Sequence, residues 1–478
     1  MHKTKPLILL SLPVNFSIRS FFFTNVIDDL LKNNNLAIIS PFCDSKSFIN
    51  HFKREGITFY TNFKYDNHNY YHEKWLNRLN YVSRVKWKLY TPNHTDRILF
   101  YQKTNKNKIQ NNSENKSIKR NLFDYFIKYD LMLSILYFLE DSLFKIINYK
   151  IIKQYENLLS SIKPDFVIAT APFVTHDIPL MKTVQKMKID SALYVLSYDN
   201  ITSRPPLTVF FQNYIVWNNM NKQELLKQYG NIKESKIRIC GPLQFDWHHN
   251  KKKYLVSKED WFSKLNLDIN KKTILFGANV EKYSPNDEHV IKCLLKTIKK
   301  TKQDLQIIIR LHPNDDFNRW KDFNEDENLI SFSMSSTKNS FVKENIISLI
   351  NDIHHSDLTV CNGTSIALDG LMLGKPAIFF AYDDRYSLDD PRSFDRLTKD
   401  IYNREHIVPL VKIGGVKLVH SFSELYNQIK YYLSNPLLNI KNQEKTKKFY
   451  DPFCDGNSGE RFVKNINQII NSIKDEEN

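Results

Sequence analysis

The residues of this chain best suited to chemistry fall in two short runs of its C-terminal half. The first is Arg310-Leu311-His312-Pro313-Asn314, which closes the apolar run Ile307-Ile308-Ile309. Proline cannot extend a sheet ladder, so Pro313 stops the strand and leaves His312 at its mouth. There an imidazole can donate to a phosphate oxygen, and the Arg310 guanidinium offers a planar fork of matching geometry. The second run is Asn362-Gly363-Thr364-Ser365, directly after the strand-like Leu358–Cys361. Gly363 permits a tight turn, and Thr364 and Ser365 supply hydroxyls and backbone N–H groups at a helix N-terminus, a ready anion site. The same residue types also serve as plain helix caps, and a strand-end histidine can simply satisfy a carbonyl. In an open α/β sheet, however, the loops beyond the carboxyl ends of the strands line the ligand crevice. That rule brings Arg310, His312, Thr364 and Ser365 to one phosphate.

Weaker candidates follow the same rule. Gly277 and Asn279 come after the strand Thr273–Phe276, where small residues let backbone N–H groups approach a diphosphate. The run Asp455–Arg461 opens the last helix, with Ser458 near its start and Arg461 one turn in. It reads as a second phosphate contact or as a capped helix start. In the N-terminal half, His176 and Asp177 follow the strand Phe166–Thr170, and Asp199 follows Ala192–Leu196. These three are candidates for the base that an acceptor hydroxyl needs, and each also has an ordinary structural reading. Asn15 and Arg19, beyond the first strand, are placed to bind an acceptor group. No spacing of Cys, His and carboxylates forms a metal cage. The expected site therefore has no metal and no resident cofactor, its nucleotide arriving as substrate.

The elements that must position these residues alternate strand and helix. Leu7–Leu12, Leu36–Ser40 and Ile57–Tyr60 read as strands, with helices over Phe16–Leu31 and Lys46–Arg54. Such alternation means a parallel sheet with helices on both faces. It lapses from about Tyr65 to Asn121, which is polar, aromatic and basic, with an Asn- and Lys-rich segment at Thr104–Lys119. One or two long helices follow over Leu122–Leu159. They read first as ordinary helices packed on the sheet, and their aromatics and lysines also allow contact with a membrane surface. Alternation then resumes through Lys236–Cys240, and Phe245–Lys253 reads as a linker. A second alternating series begins at Thr273. The expected fold is α/β, in two domains. The first, residues 1–245, carries a helical, basic insertion over about 65–160. The second is residues 255–478.

Composition agrees with two domains. At 478 residues the chain exceeds what one core supports, and 42% hydrophobic residues suffice for two. A net charge of +16 points to an anionic partner: nucleic acid, a membrane surface or a phosphorylated substrate. The basic residues are spread out and form no RNA-binding motif, so no nucleic acid is expected. A genome biased toward Lys, Asn and Ile is the competing explanation for the charge. Five scattered cysteines fit free thiols in a reducing cytoplasm. The run Leu7–Val14 is short and contains Pro13, so it reads as a first strand and not as a signal core. No run approaches the roughly 20 apolar residues that span a bilayer. The expectation is a cytoplasmic protein, at most peripheral to the inner face of a membrane.

Taken together, these motifs resemble those of GT-B-fold glycosyltransferases, which implies two Rossmann-like domains facing a cleft, the first taking the acceptor and the second the nucleotide donor. Arg310–Pro313 resembles the His-Pro motif of bacterial sialyltransferases and capsule Kdo transferases, and Thr364-Ser365 sits where those families carry a Ser/Thr pair on the donor phosphate. Asp357–Phe380, with Leu373-Gly374-Lys375-Pro376, and Asp455–Arg461 are similar to CDP-glycerol glycerophosphotransferases of teichoic-acid synthesis, as is Tyr214–Asp246 at the end of the first domain. The resemblance implies transfer of a sugar or polyol phosphate from a nucleotide-sugar or CDP-polyol donor to a glycan or lipid-linked acceptor, in surface polysaccharide synthesis. It also implies that Arg310, His312, Thr364, Ser365 and Ser458 bind donor phosphates or nucleotide. Non-hydrolysing UDP-N-acetylglucosamine 2-epimerases share the His-Pro-Asn run. Where they carry a Gly-Gly-Ile-Gln-Glu-Glu-like segment, this chain has Gly363-Thr364-Ser365-Ile366-Ala367-Leu368, without the glutamates. An epimerase-like isomerase and a non-catalytic anion-binding protein remain the alternatives.

Overall fold

The structure, a computed structural model, describes residues 5–63, 130–174, 177–204, 206–281, 283–326, 329–334, 343–386 and 401–477. The basic stretch Tyr65–Asn121 expected as an insertion lies outside them. The chain divides into two compact units, Met1–Pro242 with Gly459–Asn478, and Leu243–Ser458.

Unit 1 is built on a seven-stranded sheet in the order β3-β2-β1-β4-β5-β6-β7. The strands are β1 (Leu7–Ser11), β2 (Asn35–Ile39), β3 (Ile57–Tyr60), β4 (Phe166–Ala169), β5 (Ser191–Tyr194), β6 (Asn213–Val216) and β7 (Ile237–Ile239). All neighbours are parallel, for example Leu9 opposite Ala37 on one side and Val167 on the other. Strands covered on both faces read as unbroken apolar runs, and Ile8, Leu9 and Leu10 are fully buried. The expected helix Phe16–Leu31 is two helices, Asn15–Phe22 and Val26–Asn33. The break has a local cause. Ser20 and Thr24 turn their hydroxyls back onto the carbonyls of Phe16 and Ser20, at 2.9 and 2.8 Å, which competes with helix continuation.

Two long helices do follow the undescribed stretch, Asp130–Ile147 and Tyr149–Ile162. The first is held to unit 1 by a buried ion pair. Lys182, on the helix Ile178–Lys186, donates to Glu140 at 2.8 Å and to Asp141 at 3.1 Å.

Unit 2 carries a six-stranded parallel sheet in the order β10-β9-β8-β11-β12-β13. These are β8 (Lys272–Gly277), β9 (Leu305–Leu311), β10 (Ile330–Met334), β11 (Leu358–Cys361), β12 (Ala377–Phe380) and β13 (Val416–Val419). The two edge strands, β10 and β13, are additions to the sequence reading. Phe245–Lys253, expected as a linker, is ordered structure within unit 2. It holds a short helix, Asp246–His249, with Trp247 and His248 buried.

The last helix, Ser458–Glu477, departs from the expected domain division. From Gly459 onward it belongs to unit 1. Phe462 meets Phe21 and Tyr194 edge-on, with ring centroids 5.4 and 5.3 Å away. Its apolar stripe is therefore covered by the N-terminal sheet's helices and not by the sheet that precedes it in sequence.

Candidate active site

In unit 2 the chain runs β8, β9, β10 outward to one side, then crosses to place β11 on the other side of β8. The reversal between β8 and β11 is a topological switch point, where open α/β sheets take their ligands. Gly277 pairs with Arg310 on β9 and with Cys361 on β11, so these strands end in line. His312 lies two residues past that row and Thr364 three residues past it. Two strand spacings, about 10 Å, separate the strands that carry them.

The turn after β9 fixes the imidazole. The backbone N–H of Asn314 donates to His312 Nδ1 at 3.1 Å. Nδ1 is thus the acceptor, and the neutral ring carries its proton on Nε2. Burial lowers the ring's proton affinity, with Asp315 pulling the other way. Among the described residues Nε2 has no partner, so a neutral N–H donor stands at the strand mouth. Arg319 ties this turn to the loop after β8. It donates from Nε to Glu288 at 2.7 Å, from Nη1 to the Asn279 carbonyl at 3.1 Å and from Nη2 to the Ser284 carbonyl at 3.1 Å.

The turn after β11 is built for open donors. Gly363 sits at φ 58°, the left-handed region, and Ile401 occupies the space a Cβ would need. Ser365 precedes the helix Ile366–Met372, but its exposed hydroxyl makes no capping bond. The Thr364 hydroxyl oxygen is buried and has no hydrogen-bond partner among the described residues. Such an orphan costs about 1–3 kcal/mol unless something satisfies it, which a ligand oxygen would do.

Other expected donor-site residues are engaged elsewhere. Arg310 forms a buried ion pair with Asp352 at 2.6 Å, on the side of β10, where Asp352 also accepts from Trp261 at 3.2 Å. This partner competes directly with the expected phosphate contact. Above Gly277 the room for a Cβ is filled by Ile366, so this glycine lets a helix close on the sheet. Asn279 donates its N–H to Asp287 at 2.8 Å, and its side-chain oxygen accepts from Val280 N at 2.8 Å. Ser458 is buried and gives its N–H to Asp246 at 3.0 Å, and Arg461 Nε gives its proton to the Cys240 carbonyl at 2.8 Å. These contacts are those of a packed helix start, the ordinary reading of the segment.

In unit 1 the corresponding switch point lies between β1 and β4. Asn15 and Arg19 lie on the first helix after β1, with the Arg19 guanidinium 5.6 Å from the Phe16 ring. His176 lies outside the described residues. Asp177 was expected to face the crevice, yet it is fully buried, accepting from the Ser11 hydroxyl at the end of β1. Burial pushes its carboxyl up to about 7, against the lowering effect of Ser11. A sealed carboxyl cannot reach an acceptor hydroxyl in this conformation. Asp199 keeps partial exposure and accepts from Ser197 and Ser203 hydroxyls at 2.5 and 2.6 Å. Among the described residues, no group of His, Cys, Asp and Glu could hold a metal ion.

Two parallel-sheet Rossmann-like units define a fold of the GT-B type. More closely, the chain belongs to the CDP-Glycerol:Poly(glycerophosphate) glycerophosphotransferase family, whose model matches residues 185–468, more than half of its length. Solved structures share its fold over nearly the whole chain. The S. aureus MnaA–UDP co-structure matches with a TM-score of 0.57 at 11% identity, over 98% of this chain and 97% of that one. The UDP-GlcNAc 2-epimerase from Neisseria meningitidis, bound to UDP-GlcNAc, gives 0.53 at 14%, over 97% and 100%. A glycosyltransferase from Rickettsia africae ESF-5 gives 0.50 at 12%, over 98% and 99%. No curated protein matches the chain in sequence.

Proposed function

We propose that this chain transfers a polyol phosphate or a sugar from a nucleotide-activated donor, a CDP-polyol before a nucleotide-sugar, to a hydroxyl of a glycan or lipid-linked acceptor in surface polysaccharide synthesis. The observation that carries the reading is the in-line ending of β9, β8 and β11, which sets His312 and the Thr364-Ser365 turn beyond one edge of the sheet. The Nε2–H of His312, the two hydroxyls and the N–H groups of the turn would stabilise charge on the leaving phosphate. Preorganised donors of this kind gain most where charge grows, on the bridging oxygen as its bond to the transferred group breaks. The acceptor hydroxyl loses its proton as it attacks. Of the candidate bases, Asp199 is the described carboxylate with solvent access, and Asn15 and Arg19 are assigned to acceptor contact.

A cytoplasmic, membrane-peripheral setting is part of this reading. No described helix is long and apolar enough to cross a membrane. The helix Asp130–Ile147 instead leaves Phe138 and Ile146 exposed to 70% and 74%, with Tyr149 just beyond it at 62%. Lys150 lies beside them, as does Lys145, which is paired with Asp141 at 2.5 Å. This apolar and basic face suits the surface of an anionic bilayer, where a lipid-linked acceptor resides.

Thermal unfolding with CDP-glycerol, CDP, CMP, UDP and GDP tests the donor assignment. A cytidine nucleotide is expected to raise the Tm of unit 2, and indifference to every nucleotide would sink the reading. Conversion of UDP-N-acetylglucosamine alone to a manno-configured product would assign the chain to epimerisation. Salt-dependent RNA binding that survives His312→Ala, with no nucleotide affinity, would make it a plain anion binder.

A further inference from the structure

One buried polar chain in unit 2 ends on the residue next to the phosphate-facing turn. Asn362, 1% exposed, directly precedes Gly363. Its Nδ2 donates to the Ser284 hydroxyl at 2.9 Å, and its Oδ1 accepts from Tyr402 Oη at 2.8 Å. Ser284 in turn donates to Asp287, which also accepts the Asn279 N–H at 2.8 Å. Tyr402 Oη lies equally close, 2.8 Å, to the Phe380 carbonyl that ends β12. One phenol proton is thus shared between the ends of two neighbouring strands. Beside it, Ile401 fills the space over Gly363 and so holds that residue's left-handed turn from above.

We infer that Tyr402, acting through Asn362, is a positioning residue for the Gly363-Thr364-Ser365 turn and thereby sets donor affinity; the inference rests on that turn being the donor-phosphate site. Ser284 also donates to Asn286 Oδ1 at 3.4 Å, and Asn286 Nδ2 donates to the Tyr382 carbonyl just past β12 at 2.7 Å. The chain joins the loops after β8, β11 and β12, three strands that meet at the switch point. On the far side of the turn the Thr364 and Ser365 carbonyls accept from the N–H groups of Ala367, Leu368 and Asp369, which ties the turn to the helix that follows. Its near side is held by Asn362 on one flank and by the Ile401-Tyr402 pair above. The Gly363 N–H also donates to Tyr402 Oη, so Tyr402 holds the turn directly as well as through Asn362.

The test compares Tyr402→Phe with Tyr214→Phe, which removes a similarly buried hydroxyl bond, to Phe211 N at 3.0 Å, in unit 1. Both are expected to lower Tm by about 2–4 °C. Amide hydrogen exchange of peptides covering Cys361–Asp369 in the ligand-free protein should quicken about tenfold in Tyr402→Phe alone. With CDP-glycerol as donor, kcat/KM should fall about tenfold in Tyr402→Phe, chiefly through KM, and stay at wild type in Tyr214→Phe. Ser284→Ala, which breaks the same chain at its other end, should repeat both changes and stands in should Tyr402→Phe not fold. Equal exchange in the Tyr402 and Tyr214 variants would overturn the inference. If the wild type ignores CDP-glycerol, the functional reading fails while the exchange comparison still decides the clamp.

Discussion

At His312 one backbone hydrogen bond decides the chemistry. The Asn314 N–H points at Nδ1, so protonating that nitrogen would set two hydrogens against each other. Burial adds to the same effect. A ring held neutral in this way keeps its Nε2 donor as pH falls past the ordinary imidazole range near 6.5. The acid limb of kcat/KM due to this group should therefore lie below that value, and His312→Ala should lower turnover by at least ~10²-fold. A limb at or above 6.5 that disappears in the variant would refute the tautomer argument. Asp177 gives the opposite kind of prediction. Folded, it holds its proton to about pH 7, whereas an ordinary aspartate titrates at 3.8. Between these values the native chain binds more protons than the unfolded one, so this group lowers stability as pH rises from about 4 to about 7. Asp287, pushed to about 7 by its own burial, adds a term of the same sign. Asp177→Asn keeps an acceptor for Ser11 and removes one of the two terms. Urea midpoints should show the variant gaining on wild type between pH 5 and pH 8, and parallel pH curves would refute it. At this scale the sequence showed which residues were polar and where strands ended. It could not show that Arg310 has Asp352 for a partner, because the two are 42 residues apart and nothing local pairs them. Nor did it single out Tyr402, whose bond to Asn362 spans 40 residues.

Among elements, the central strands were legible because burial on both faces leaves unbroken apolar runs, as in Ile307-Ile308-Ile309. The edge strand Ile330-Ser331-Phe332-Ser333-Met334 alternates instead. That pattern is a half-covered strand's signature, but five residues of it within a long polar stretch do not stand out from a loop. The helix Asp130–Ile147 was readable as amphipathic, though not which side faces inward. Lys182 settles that, since its buried pairing with Glu140 turns one face to unit 1. The opposite face carries Phe138 and Ile146. Replacing both with Ser should leave Tm nearly unchanged, as neither is packed, while cutting sedimentation with vesicles of anionic lipid several-fold. Undiminished vesicle binding by the double variant would move the membrane contact to another surface.

At the scale of the whole chain, the last helix joins a unit it does not follow in sequence. Its stripe of Phe462, Ile466, Ile469 and Ile470 is buried, and periodicity alone announced a helix that must be covered. Periodicity cannot say by what, which is why the second domain was drawn to the C-terminus. The contacts decide it. Phe462 closes an aromatic cluster with Phe21 and Tyr194, and Asn467 Oδ1 accepts from Asn34 at 3.0 Å. Unit 1 therefore completes its core only when the end of the chain has been made. Phe462→Ala should destabilise unit 1 by about 3–5 kcal/mol, the usual effect of emptying a large buried aromatic site. Hydrogen exchange should quicken across the β1 and β5 peptides of unit 1, while β8, β9 and β11 of unit 2 keep their protection. Deleting Gly459–Asn478 should produce the same pattern in stronger form, leaving unit 2 able to bind nucleotide. If either change instead loosened the unit 2 strands and spared β1 and β5, the helix would belong to the domain that precedes it.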